Sequence, residues 1–243
     1  MSAPAKRHHH FIYNRYWHVF VTLLVVVIPI IFFLIFAEIT KITFRTLFSD
    51  IGISLVRLAI AFVISIILGW VCAVIFYRGK ASTVALPIFD VLQSVPTFAA
   101  LPFAVMYWGP SPTTVIFFLV LAMIWPVLFS VINSLKLIKG EYYEAITIYG
   151  LSGWKRVRYF LFPVSVPGLI TGAIIGLGDT WEALIATEII VGVKTGLGPF
   201  FNSFSNNPTI TMFAILGVLL IIFAINRIVF LPLLERSHSL VEE

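Results

Sequence analysis

Charge is what this chain has least of. Only 11% of its 243 residues are Asp, Glu, Lys or Arg, and none falls between positions 91 and 135. With 60% hydrophobic residues and a mean hydropathy of +1.05, a water-soluble domain of this length has too little polar surface to cover itself. Cysteine occurs once, as Cys72 inside an apolar run. That excludes an intrachain disulfide and a cysteine metal cluster, and leaves Cys72 as a small packing residue. The five histidines stand at 8, 9, 10, 18 and 238, toward the ends, so no His/acid set converges on a metallohydrolase core. His8, His9 and His10 read as part of a polar tail and not as a metal site. No G-x-x-x-x-G-K-[ST] loop occurs, so the chain has no P-loop nucleotide site. The net charge of +5 reads as the basic excess kept on the cytoplasmic side of a multi-pass membrane protein, not as a nucleic-acid surface.

What is present is a series of long apolar runs. A crossing helix needs about 20 mostly apolar residues, and the few charges mark where crossings stop. Residues 1–16 read as a basic tail. No small-residue cleavage site closes the apolar stretch that follows, so 17–37 reads as a retained first span, kinked at Pro29. Residues 38–50, with Lys41 and Arg45, read as an external connection. A second span starts near Ile51 and ends at the turn Tyr77, Arg78, Gly79, Lys80, with Arg57 snorkelling or facing the bundle. The uncharged run 91–135 is too long for one crossing. Gly109, Pro110, Ser111 and Pro112 divide it into spans at about 85–108 and 113–135, with Trp108 at an interface. A fifth span runs over about 160–178, where Gly168, Gly172 and Gly176 repeat every four residues and admit a close neighbour. Residues 179–208 read as an external loop with a short helix near 183–193. A sixth span covers about 210–230, and 236–243 form a tail.

Between the two apolar halves lies one long polar passage, residues 139–163, KGEYYEAITIYGLSGWKRVRYFLFP. Tyr142, Ala145, Ile146 and Tyr149 recur at helical spacing, with Glu141 and Glu144 on another face. Gly150 then ends the helix in the left-handed conformation. Ser152 caps a second short helix from Gly153 to about Phe160, which carries Lys155, Arg156 and Arg158. With both termini inside, Lys41, Arg45, Arg57 and Lys194 are the only Lys or Arg left outside. The asymmetry follows the positive-inside rule and puts this passage in the cytoplasm.

Glu144, Ala145 and Ile146, then Gly150, then Phe160, Leu161, Phe162 and Pro163 resemble the EAA motif of ABC importer permeases. In that motif Glu-Ala-Ala is followed by three residues, Gly, nine residues and Ile-x-Leu-Pro. Ile146, Phe160 and Phe162 depart from the pattern and stay apolar. The resemblance extends over Ser54 to Arg57, Gly69, Pro87, Gln93 to Pro96, Leu101 and Pro102, and over WEALIATEIIVGVKTGLG from Trp181 to Gly198. Over roughly 50–235 the chain is similar to permeases of the nitrate/sulfonate/taurine type. The resemblance implies an all-α membrane protein of the type I ABC importer permease fold, with about six transmembrane helices and both termini cytoplasmic. It places a permease core at 50–235 in a bacterial inner membrane, with a coupling segment at 139–160. In that segment Glu141, Tyr142, Glu144, Ala145, Ile146, Tyr149, Gly150, Leu151, Ser152, Lys155 and Arg156 dock on the ATPase. It implies two cytoplasmic ABC ATPase subunits, a second permease subunit and an extracytoplasmic binding protein as partners. ATP and Mg then sit on the ATPase and no cofactor on this chain.

Polar residues inside a membrane are retained where they meet water or a partner. On that ground Gln93, Ser94 and Thr97, Asn133, Asp179, Thr180, Trp181, Glu182 and Glu188 are candidates for the route, with Pro96 and Pro102 as breaks that expose backbone carbonyls. Glu188, an acid inside an apolar run, is the candidate gate or inter-subunit contact, and Asp90 a candidate inner-gate contact. The outer cations suit a small organic or inorganic anion, whereas Asp179, Glu182 and Glu188 oppose one. A stand-alone carrier or channel is the alternative reading, although no mid-span acid cluster or internal repeat of the kind common in carriers is evident. A membrane-embedded enzyme is a more distant one.

Overall fold

The computed structural model describes residues 15–230, 232 and 233. The 1–14 part of the basic tail, with His8 to His10, and the tail at 236–243 lie outside the described residues. Ten helices follow in order, and no strand occurs among the described residues: α1 Arg15–Thr40, α2 Phe44–Phe76, α3 Gly79–Gln93, α4 Thr97–Trp108, α5 Pro112–Lys136, α6 Gly140–Ile148, α7 Gly153–Arg156, α8 Phe162–Val191, α9 Leu197–Ser203 and α10 Pro208–Ile225. A π-helical turn at Val157–Leu161 joins α7 to α8, and a second at Asn226–Phe230 extends α10. Five runs are long and apolar enough to cross a membrane: Val21–Thr40, Arg45–Phe76, Pro112–Lys136, Gly153–Val191 and Pro208–Phe230.

One more crossing, the third in chain order, is broken. Helices α3 and α4 together pass the same test but are bent by 80° at residues 94–96. Pro96 is the cause: it has no N–H to continue the ladder, and it biases Val95 away from helix. Pro102, by contrast, sits inside α4 without breaking it. The path of the chain shows that the pair is one crossing and not a re-entrant loop. Helix α3 leaves from the end of α2 where Tyr77 and Arg78 share a cleft with Lys136, the last residue of α5. The first residues of α5, which α4 feeds, are therefore at the opposite end. The span expected at 85–108 is thus two angled pieces, broken at Pro96 as the sequence suggested but not at Pro102.

Helix α5 is the centre of the bundle, packed between α2 and α8. Val115, Leu119, Met123, Val127 and Val131 along it are wholly buried. The glycine row on α8 makes this possible. A Cβ at Gly172 would lie 2.7 Å from the Val127 Cα, and one at Gly168 2.7 Å from the Ser130 carbonyl oxygen. Helices α1 and α10 pack on each other at the periphery and expose apolar side chains such as Leu23 and Leu219, as lipid-facing helices do.

Several boundaries differ from the sequence expectation. The external connection at 38–50 shrinks to residues 41–43, because α1 continues through Glu38 to Thr40 and α2 already starts at Phe44. Leu47 and Ile51 are buried one turn apart, so the inner face of α2 holds the helix together while Arg45 stays exposed. The second short helix does not stop near Phe160, nor does the fifth span stop near 178. The run is continuous over 39 residues, Gly153–Val191. The external loop expected at 179–208 is therefore helix as far as Val191, and the short helix of that region is α9, not 183–193. Helix α8 ends at Gly192, in the left-handed region with φ +73°.

Candidate functional site

Three groups of polar residues stand out, one at each end of the bundle and one between α4, α5 and α8.

The first is the polar passage itself. Helix α6 closes with a six-to-one and a five-to-two hydrogen bond: the Leu151 N–H donates to the Ile146 carbonyl at 2.9 Å and the Gly150 N–H to the Thr147 carbonyl at 3.1 Å. Gly150 has φ +67°, the left-handed turn that pattern requires. Ser152 stands at the N-cap of α7, but its side chain makes no capping bond, a correction to the cap expected there. The π turn that follows has a cause in Pro163. Its ring crowds the preceding turn and has no N–H to give, and the widened turn lets the Phe162 N–H reach Val157, five residues back.

This passage is pinned to the bundle through Tyr143. The Arg78 guanidinium lies 4.3 Å from the centre of its ring and that of Arg156 lies 5.3 Å away. Arg156 also donates to the Tyr77 hydroxyl at 3.0 Å. Phe160 meets the Tyr143 ring edge-on at 5.7 Å. Burial, and then the hydrogen bond and charge of Tyr77, push the Tyr143 phenol up to about 12; the Arg78 and Arg156 charges oppose the rise. Ile146 points inward and is 7% exposed, so the departure from alanine there falls on the inner face. Ala145 and Leu151 are half-buried. The outer face shows Tyr142, Ile148, Tyr149 and Trp154, the last three more than two-thirds exposed, among Glu141, Glu144, Gly150, Ser152 and Lys155.

The second group is at the far end of α8. Glu188 is fully buried and pairs with Arg57 of α2 at 2.5 Å. Ser54 donates to the same carboxylate at 2.8 Å, and so does the Gly198 N–H at 2.8 Å. Arg57 continues to the Thr195 carbonyl at 2.8 Å, the Leu197 N–H donates to the Ser54 hydroxyl at 2.8 Å, and Asp50 accepts from the Gly196 N–H at 3.0 Å. The charge of Glu188 is fully satisfied within the chain, which is why it does not interrupt α8. Sequence reasoning singled out Glu188 and Arg57 separately and missed Asp50, Ser54 and residues 195–198 as their partners.

The third group lines a small cavity of about 220 Å³ formed by Thr97 and Phe98 of α4, Phe118 and Ala122 of α5, and Asp179, Glu182, Ala183 and Thr187 of α8. Of the sequence candidates, Thr97, Asp179 and Glu182 come together here. Gln93, Ser94 and Pro96 are exposed at the bend instead, where Gln93 and Ser94 turn back to Asp90. Asn133 is exposed near the α6 end, Thr180 is buried and donates back to Gly176, and Trp181 is buried in the core. Neither Trp181 nor Glu188 lines the cavity. Thr187, also a lining residue, was not anticipated from the sequence. No group of three or more metal-ligating side chains occurs among the described residues.

A six-crossing helical bundle with a broken third crossing and a polar, aromatic passage at one end is a multi-pass membrane protein with one face built to meet water. Sequence comparison is specific: residues 65–237 match the profile of the binding-protein-dependent transport system inner membrane component family, and the chain belongs to that family. It is therefore a transport-system component of the inner membrane and not an enzyme. It is 32% identical over 184 residues to the nitrate import permease protein NrtB of Leptolyngbya laminosa, a match covering 72% of this chain and 64% of that protein. It is 30% identical over 156 residues to the taurine transport system permease protein TauC of Escherichia coli (strain K12), covering 63% and 56%. With the bicarbonate transport system permease protein CmpB of Synechococcus elongatus it shares 26% identity over 148 residues, covering 60% and 53%. The chain thus spans between about half and two thirds of the length of these relatives.

Proposed function

We propose that this chain is the membrane-spanning permease subunit of an ATP-driven importer, providing part of the route for a small solute and receiving motion from a separate ATPase. The permease core is 50–235, and 139–160 is the coupling segment, with Glu141 to Arg156 as its docking face. The observation that carries this reading is the structure of that segment. It exposes large aromatic side chains beside carboxylates at a polar end of the bundle, while Tyr143, Arg78 and Arg156 fix it to the turn between α2 and α3. An exposed face of Tyr142, Ile148, Tyr149 and Trp154 with charged residues around it has the composition of a docking surface.

The segment is joined to the bundle core on both sides. Only residues 137–139 separate it from α5, and α7 runs on into α8. Two ABC ATPase subunits closing on ATP and Mg would displace it and carry α5 and α8 with it. A second permease subunit completes the route, and an extracytoplasmic binding protein delivers the solute. Both termini are cytoplasmic in this arrangement. Nucleic acid has no part in it. The relatives named for nitrate, taurine and bicarbonate support an importer over a carrier that works alone.

Two substitutions test the reading. Glu144→Arg reverses a charge on the docking face, and Gly150→Pro removes the Gly150 N–H bond to Thr147 and the left-handed turn. Both variants are expected to insert into the membrane normally and to lose solute-stimulated ATP hydrolysis when reconstituted with the ATPase and binding protein. Normal stimulation in both would remove the coupling assignment.

A further inference from the structure

The ion pair between Arg57 and Glu188 changes the charge balance along the route. Those two groups neutralise each other away from the cavity. What faces the cavity is Asp179 and Glu182, three residues apart on one side of α8, both exposed and without an ion-pair or hydrogen-bond partner among the described residues. No Lys, Arg or His is among its lining residues. The lining from α4 and α5 includes two aromatic side chains, Phe98 and Phe118.

Thr187 adds an independent sign that something polar belongs there. It is wholly buried, and its Oγ1 has no hydrogen-bond partner. A helical threonine usually donates back to the carbonyl four residues earlier, as Thr180 does to Gly176 and Thr171 to Pro167. Thr187 is among the residues that line the cavity, and its buried hydroxyl has no partner. Two carboxylates and two aromatic side chains suit a compact cation through Coulomb attraction in a low-dielectric wall and ring quadrupoles, and an unpartnered hydroxyl gives a protonated amine an acceptor.

We propose that this cavity selects a small organic cation, a solute bearing a protonated amine or a quaternary nitrogen, and disfavours anions such as nitrate or bicarbonate. The proposal rests on the permease reading above. It sets this chain apart in substrate class from the relatives named for inorganic anions.

The test measures the charge preference of the cavity directly. The full-length chain, reconstituted with its ATPase in liposomes, carries Cys72→Ser and Thr97→Cys, with Phe98→Cys as a second reporter. The probes are a trimethylammonium-ethyl and a sulfonato-ethyl methanethiosulfonate, and their rates are normalised to those with a free thiol. The cationic probe is expected to react faster by about tenfold or more, the range that one-signed clefts reach. Asp179→Asn with Glu182→Gln should bring the ratio back to the free-thiol value. Equal normalised rates, faster anionic labelling, or a cation preference untouched by the two neutralisations would overturn the proposal while leaving the route in place. Reporters at both positions closed to both probes, with and without ATP, would overturn the route assignment itself and the proposal with it.

Discussion

Glu188 shows how much one side chain depends on partners distant in sequence. It is fully buried, and Arg57, 131 positions away, holds its charge together with Ser54 and the Gly198 N–H. Removing one member strands the other in a low-dielectric core. Glu188→Ala is therefore expected to destabilise the protein by about 3–5 kcal/mol, read as a fall in thermal midpoint in detergent. Glu188→Leu combined with Arg57→Met should lose markedly less, because no unpaired charge remains. Thr187 makes the opposite case. A buried hydroxyl without a partner carries a penalty of about 1–3 kcal/mol, so Thr187→Val should leave stability unchanged or raise it. A large fall in the thermal midpoint would mean that the hydroxyl has a partner after all. An acid inside an apolar run was visible in the sequence. Its partner was not, because a pairing across two helices has no local signature, and the same holds for Asp50 and Ser54.

At the scale of elements, the seam between α5 and α8 and the attachment of α6 are the parts that admit sharp tests. Gly172 has the Val127 Cα within 2.7 Å of where a Cβ would be, whereas nothing lies within 4 Å of that point at Gly178. Gly172→Val should cost about 1–3 kcal/mol or more by overpacking, while Gly178→Ala should be neutral or stabilising by up to about 1 kcal/mol through helix propensity. Equal effects in thermal unfolding would show that the seam is not tight. For α6, the Tyr143 phenol is pushed from 10.0 up to about 12. The native state keeps this proton where the unfolded chain has lost it. Stability is then unaffected by this group below about pH 10 and falls as pH rises toward 12. Tyr143→Phe, which keeps the ring between the two arginines, should remove that part of the alkaline decline in unfolding scans at about pH 9 and 11. The glycine spacing and the Gly150 terminator could be read in the sequence because each is a local rule with one physical cause. The length of α8 could not. Asp179, Glu182 and Glu188 look like the end of a span until it is known that one is paired and two face a cavity.

For the whole molecule, six crossings were legible from where charge is missing, since an apolar run of sufficient length has few other uses. The 80° bend in the third crossing was foreshadowed by Pro96, but not its direction, which places Thr97 and Phe98 against α8. The order of packing, with α5 central and α1 and α10 peripheral, was not legible, because all of these helices are similarly apolar. Span lengths also set a geometric condition. At 1.5 Å per residue, the 39-residue run Gly153–Val191 is about 58 Å long, well beyond a hydrocarbon layer of about 30 Å. It must lean or stand proud of the membrane.

That run has its midpoint at Gly172, which with Gly168 is seated closely on α5. A stiff beam balanced at its middle behaves as a seesaw. A push at the end near Arg156 that turned the run about this point would move the arm carrying Glu188 in the opposite sense. If 139–160 is the coupling segment proposed above, such a turn would close one mouth of the route as the other opens.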